Sequence, residues 1–436
     1  MRMNRLWKIL LFANLLASAA LAENWPQWRG PFFNGSTTET NLPIQWSKTE
    51  NTRWATPLPG YSGATPVIWE DSVFVSSPDS EKNLLLICLD GKTGQIRWQK
   101  KISEANQEKG RNNMASPSPV TDGHNVFLLV GTGKLAAFDF SGKELWARDL
   151  AKDYGRFSIN WLYGSSPLLY RGKLFVEVLQ ANPIPNGYPQ ALDDKPERES
   201  FLLCLDPATG KNLWRQLRPS DAVSEAQEAY TTPIPCEKGD HCEIIVVGAN
   251  YVTAHDPENG TELWRCAGLN DRHEMFWRIV PSPVVADGMT IACGPKRDPV
   301  LGIKDGGHGV VTDTHLAWKS KEFGADCVTP LFYQNKLFVL DGDRQIMTCV
   351  EPRTGQKSWQ GNLGVRDIFR ASPSGADGKI YCLSEAGTVV VLSAGNEFKI
   401  LSTFSMGESP VRSSIAVAGG QLFIRTAQNL YCVGGR

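Results

Sequence analysis

One turn recurs along this chain and limits what the chain can fold into. Its fullest copy runs Asp90-Gly91-Lys92-Thr93-Gly94-Gln95-Ile96-Arg97-Trp98. It returns from Asp206 through Thr209-Gly210 to Trp214, from Asp256 through Gly260 to Trp264, and from Glu351 through Thr354-Gly355 to Trp359. A shortened copy runs from Asp139 through Gly142 to Trp146. Ahead of the turns, a Ser or Thr followed by Pro leads into an apolar strand: Thr65, Ser118, Ser166, Thr232, Ser282, Thr329 and Ser372, with Ser414-Ile415 as a copy that has lost its proline. A period of roughly 40–50 residues made of short strands is the signature of a propeller or a repeat array.

The parts of each unit have separate physical jobs. Proline opening an innermost strand lacks a donor that no ladder there requires. Alternating apolar residues such as Val73-Phe74-Val75 and Leu337-Phe338-Val339 suit a strand packed between two sheets. The turn glycine supplies positive φ and the acid accepts from backbone amides. The tryptophan fills the gap between sheets while its N–H seeks an acceptor.

Seven such units are countable, the fifth degenerate between Val300 and Trp318 and the seventh ending in Leu401 where Trp is expected. After Leu430-Tyr431-Cys432-Val433 no fourth strand follows, whereas a spare strand lies near Arg53-Trp54-Ala55. The expected fold is therefore all-β: an eight-bladed β-propeller of four-stranded antiparallel blades, whose last blade is completed by the N-terminal strand so that no edge is left open.

The first 22 residues read as a signal peptide. Arg2, Arg5 and Lys8 precede an apolar stretch over 9–19 and the small-residue site Ala20-Leu21-Ala22. The stretch is too short to span a bilayer. Residues 23–436 are expected to form a single exported propeller domain, periplasmic or secreted. No cysteine follows the cleavage site, which argues against a lipid anchor there. Removing three of the 45 basic residues and none of the 46 acidic ones leaves a net charge near −4, which offers nothing to a phosphate backbone. Nucleic acid is excluded as a partner, and a monomer is expected.

Ten cysteines in an exported chain invite a disulfide framework. Cys88, Cys204 and Cys349 instead occupy the strand slot that holds Ala137 and Ala254, as packed apolar thiols. Cys236 and Cys242 flank a hairpin, and two outcomes stay open for them, a disulfide or two thiols. No zinc spacing or calcium loop is present. Gly131-Thr132-Gly133 resembles a dinucleotide fingerprint, but a strand follows it rather than a helix.

The turn copies resemble those of the pyrroloquinoline-quinone-like (PQQ-like) β-propeller family, and the opening Trp25-Pro26-Gln27-Trp28-Arg29-Gly30-Pro31 is similar to that of an exported bacterial subgroup. The resemblance implies two kinds of relative. The outer-membrane assembly factor BamB is a non-catalytic scaffold of similar size. The quinoprotein dehydrogenases are larger, bind PQQ with calcium and carry adjacent cysteines, which this chain lacks.

Loops entering the innermost strands gather at one mouth of a propeller, and here they carry the candidate ligand-binding residues. These are Asn113, Trp161, Tyr163, Glu228, Trp277, Arg278, Arg370 and Arg412. The three arginines suit forked bonds to carboxylates, and Trp161 and Trp277 suit stacking. The competing reading makes them solvated rim residues paired with Glu228, Asp326 and Asp367. The leading functional expectation is an exported, non-catalytic scaffold that binds a protein or ligand at this face. One alternative is a PQQ-dependent oxidoreductase or its accessory subunit, with Asp326 as base. Another is a sugar-binding propeller, which requires exposed coplanar faces on Trp161 and Trp277. Two segments are left over. The 183–200 insertion is either a binding loop or a surface excursion. Trp25 and Trp28 either clasp the ring or form a patch for a partner.

Overall fold

The computed structural model describes residues 23–185, 188, 198–239 and 241–434. The expected leader and most of the 183–200 insertion lie outside the described residues. The rest is an eight-bladed β-propeller. Seven sheets have four strands, the fourth blade has five, and the only α-helices described are the short turns Leu150–Tyr154 and Thr312–His315. Among the described residues no helix is long and apolar enough to cross a membrane.

Blade one shows the common plan: Val67–Trp69 at the axis, then Ser72–Pro78, Leu84–Asp90 and Ile96–Ser103 at the rim. The middle strands are buried on both sides because each blade is covered by its neighbours. Phe74, Leu86 and Cys88 of blade one thus share a core with Val126, Leu128 and Phe138 of blade two. Cys88, Cys204 and Cys349 are fully buried and free, as packed thiols should be.

At the rim, six tryptophans dock on the turn of the following blade. The indole N–H groups of Trp54, Trp98, Trp146, Trp214, Trp318 and Trp359 donate to turn carbonyls of the next blade over 2.8–3.2 Å. In all but Trp359 the ring lands on the turn glycine. A Cβ placed on Gly210, whose φ is +69°, would stand 2.6 Å from the Trp146 ring. Within the turns, Asp90, Asp139, Asp206 and Asp256 accept from amides two residues ahead.

Blade five departs from the plan. In place of the turn, Gly309–Val310 crosses over and pairs in parallel with the outer strand of blade four, opposite Trp264 and Arg265. Trp264 is buried by this crossing, and its N–H turns to Glu243 of its own blade at 2.9 Å.

At the axis, the Ser and Thr of the strand-entry steps form a closed circuit. The amide of Thr65 donates to the Ser118 hydroxyl at 2.9 Å, Ser118 to Ser166 at 2.9 Å, and Ser166 to Thr232 at 3.1 Å. The chain of bonds continues through Ser282, Thr329 and Ser372 to Ser414, over 2.8–3.1 Å. The Ser414 amide then returns to the Thr65 hydroxyl at 3.3 Å. Blade eight consists of Ala416–Ala418, Gln421–Arg425 and Asn429–Val433, with Thr52–Pro57 as its antiparallel rim strand.

The segment before that strand crosses the far end of the axial channel. Trp25 bridges to Ile68, and the Thr121 amide donates to the Pro26 carbonyl at 3.0 Å. The Arg29 guanidinium donates to Pro330 and Pro373 at 2.9 and 3.2 Å. Trp25 is wholly buried. The opening Trp pair is thus a clasp rather than an exposed patch.

Cys236 and Cys242 are free thiols. Strand register sets Cys236 opposite Glu243 and Cys242 opposite Glu237. With side chains alternating along a strand, the two sulfurs fall on opposite faces of the hairpin, so a disulfide cannot form.

Replacing Trp146 by Ala is expected to cost about 3–5 kcal/mol in urea unfolding. Gly210→Ala should be costly alone and markedly less so beside Trp146→Ala, since the clash is with that ring. Simple additivity of the two would contradict the docking described.

Candidate functional site

The mouth opposite the clasp leads into a cavity of about 520 Å³ on the propeller axis. That volume suits a small organic ligand. Its floor includes Trp28, from the clasp, and five members of the hydroxyl circuit: Ser118, Ser166, Thr232, Ser372 and Ser414. The walls carry Tyr61, Trp161 and Tyr230. Five lining side chains are cationic (Lys109, Arg111, Arg278, Arg370 and Arg412) and one, Asp326, is acidic.

Three of the expected site residues, Arg278, Arg370 and Arg412, meet here because each ends a loop entering an innermost strand. Each leans on a carboxylate from a neighbouring loop. Arg278 donates to Asp326 at 3.3 Å, Arg370 to Asp343 at 2.7 Å, and Arg412 pairs with Glu385. Arg412 also donates to the Tyr61 hydroxyl at 2.8 Å, with its guanidinium 5.1 Å from that ring's centre. Of the pairings expected with Glu228, Asp326 and Asp367, the Asp326 one forms. Asp367 instead accepts from Ser384 and Thr388. Asp343, Glu385 and Glu225, the last 4.0 Å from the Arg278 guanidinium, do not line the cavity, so they orient the arginines without filling it.

Trp161 lines the wall and is 39% exposed, with its indole N–H on Glu225 at 2.8 Å and the Lys109 ammonium 5.7 Å from its ring. Trp277 does not face the cavity. It is buried against Ala222, Ala226 and Ala249, donates to the Leu269 carbonyl at 2.7 Å, and has Lys296 over its face. The paired exposed rings required by the sugar-binding expectation are therefore missing. Tyr163 is a core residue, its hydroxyl on the Glu177 carbonyl at 2.7 Å. Asn113 is buried beside the mouth, where its amide holds the Tyr61 carbonyl at 2.8 Å.

Glu228 lies just behind the wall, fully buried. It accepts from the Asn160 amide at 2.9 Å, the Tyr230 hydroxyl at 3.0 Å and the Tyr188 hydroxyl. Burial pushes its carboxyl up to about 7, although these bonds favour the charged form. Asp326 behaves oppositely: burial works against its charge, yet Arg278 and the Lys296 amide hold it below the usual carboxylate range. Its neighbour Cys327 is pushed up to about 12 by burial, so it carries no thiolate at neutral pH. No histidine lines the cavity. The lining is predominantly cationic, and the Cys327 thiol donates to Asp326 over 3.5 Å.

Beneath the floor, Arg29 is fully buried, and burial lowers its guanidinium to about 9. It hydrogen-bonds carbonyls only, has no carboxylate within ion-pair distance among the described residues, and leaves its Nε without a partner.

Sequence reasoning missed Lys109, Tyr61 and the floor hydroxyls as cavity residues. The strand-entry repeat was the available signal for the hydroxyls. Nothing local marks Lys109, which reaches the mouth through the two-stranded excursion Glu108–Lys109 and Asn112–Asn113.

A family model described as outer membrane protein assembly factor BamB matches residues 35–178. The matched residues span blades one and two and the first two strands of blade three. BamB from Moraxella catarrhalis superposes with a TM-score of 0.60 at 14% identity, over 87% of this chain and 99% of that one. Quinohemoprotein alcohol dehydrogenase from Comamonas testosteroni gives 0.67 at 11% identity, over 95% and 81%. A europium-containing methanol dehydrogenase gives 0.66 at 10% identity, over 94% and 89%. At such identities these likenesses establish the fold alone. No curated protein matches the chain.

The dehydrogenase likenesses raise the question of PQQ with a metal ion. The three arginines suit the carboxylates of the quinone. The metal is another matter. Calcium takes 6–8 oxygen ligands, whereas Asp326 is the one lining carboxylate and is already engaged by Arg278 and the Lys296 amide. Among the described residues no three acidic, His or Cys side chains gather to hold an ion. The donor set fits a carboxylated ring system and does not fit its calcium.

The Glu228 carboxyl has a pH signature. Its proton is held more tightly in the folded than in the unfolded chain, where a glutamate titrates at about 4.3. Its stabilising contribution is complete below that value and is lost as pH rises toward about 7. Glu228→Gln should flatten the fall of urea-measured stability between pH 5 and 7. It should also raise stability at pH 8 by on the order of 2 kcal/mol.

Proposed function

We propose that this chain is an exported, non-catalytic binding propeller whose axial cavity takes a small planar ligand carrying carboxylates. The observation that carries this reading is the excess of cations over acids in the cavity lining, with aromatic walls around it. Backing carboxylates hold Arg278, Arg370 and Arg412 in fixed forks before any ligand arrives. That preorganisation lowers the ordering cost of binding. Tyr61, Tyr230, Trp161 and Trp28 offer apolar faces to a flat ring system. Export rests on the leader pattern over residues 1–22 and agrees with the BamB-like repeats. A scaffold role toward a protein partner is compatible with the same mouth, with an acidic or aromatic side chain entering the cavity.

Calorimetric titration with PQQ, with and without calcium, tests the reading. Binding should be saturable and indifferent to calcium, and weaker by at least about 100-fold in Arg278→Ala/Arg370→Ala/Arg412→Ala. Calcium-dependent binding would favour the oxidoreductase reading. No heat from PQQ or from simpler aromatic carboxylates would overturn the ligand assignment.

A further inference from the structure

The hydroxyl circuit at the cavity floor has a property beyond holding the blades together. Each of its eight oxygens accepts an amide N–H from the preceding blade. Among the described residues none of these hydroxyls donates to a protein acceptor. Their protons are uncommitted, and one lone pair on each oxygen is already used. Such a group offers a donor more readily than an acceptor. Ser118, Ser166, Thr232, Ser372 and Ser414 line the cavity, whereas Ser282 and Thr329 belong to the same circuit and do not.

Arg29 is the second, independent observation. Its guanidinium donates to the carbonyls of Pro330 and Pro373, the residues directly after Thr329 and Ser372, which places a buried cation just past the circuit. A buried charge is ordinarily paired. This one has neutral carbonyl partners and an idle Nε. Donors on the floor and an uncompensated cation beneath them both favour negative charge at the deep end of the axis.

We propose that the hydroxyl circuit is an oxyanion subsite, which takes a carboxylate or phosphate group end-on at the bottom of the cavity. The assignment deepens the function proposed above and rests on it: the planar ligand would be gripped at two levels, by arginine forks at the mouth and by hydroxyl donors at the floor. The shared chemistry is a compact oxyanion, either a free ion or the terminus of the larger ligand.

Two paired variants separate binding from structure. Thr232→Val/Ser372→Ala removes two floor hydroxyls. Ser282→Ala/Thr329→Val removes two hydroxyls from the same circuit outside the cavity, with the same loss of blade-to-blade bonds. Orthophosphate and PQQ are titrated calorimetrically into each purified protein. Orthophosphate should bind one to one, about tenfold or more weakly in the first variant and within twofold of the parent in the second. PQQ affinity should fall in the first variant as well. Should either double variant fail to fold, Ser372→Ala and Ser282→Ala repeat the comparison singly. Equal weakening in both variants would reduce the circuit to a structural device and overturn the subsite. PQQ binding without orthophosphate binding, indifferent to the floor variant, would overturn the subsite and leave the mouth assignment standing. Binding of neither would overturn both.

Discussion

Every blade of this ring is tied to the next near the axis, and six of the eight are tied at the rim as well. Near the axis an amide meets a Ser or Thr hydroxyl, and at the rim an indole N–H meets a turn carbonyl. The first fixes how closely the innermost strands approach. The second fixes the angle between sheets, because a tryptophan is too large to seat unless the neighbouring turn presents a glycine. Neither contact lies within a blade, so an isolated blade would keep its ladder and lose both. The funnel shape, and the meeting of loop residues from distant parts of the chain, follow from this double tie.

Most of the fold was legible for the same reason. The acid, glycine and tryptophan of the turn, and the Ser/Thr entry step, are spaced by the geometry of one blade, and five copies of the turn with eight of the entry step make the pattern hard to miss. Blade five was seen only as a defect, since the strand Gly309–Val310 pairs with a different blade, and no local pattern encodes such a crossing. The disulfide question turned on register: Cys236 and Cys242 are close in sequence, but the parity of the hairpin sends them to opposite faces.

The site was legible in part. Arg370 and Arg412 hold equivalent places, two residues before Ser372 and Ser414, and Arg278 stands four before Ser282; positions this close to the entry step converge in a ring. Trp277 and Tyr163 also sit in entry loops, yet their side chains turn into the core, because a large aromatic beside small residues such as Ala222 and Ala249 gains more from burial than from exposure. The carboxylates that back the arginines come from other loops, at offsets the repeat does not repeat. Sequence spacing predicts which loops meet; it does not predict which way a side chain at the meeting point turns.

Blade eight is built from the two ends of the chain, with Thr52–Pro57 hydrogen-bonded to Asn429–Val433. A contact of such long sequence separation carries a high loop-closure cost and belongs to the slow end of folding. In synthesis from the N-terminus, Thr52–Pro57 emerges early and waits for Asn429–Val433. Until then its backbone edge and Trp54 stay open to chaperones or to misfolding partners. The ring therefore reports on its own completion: the axial circuit and the cavity above it are closed only once Asn429–Val433 has paired with Thr52–Pro57.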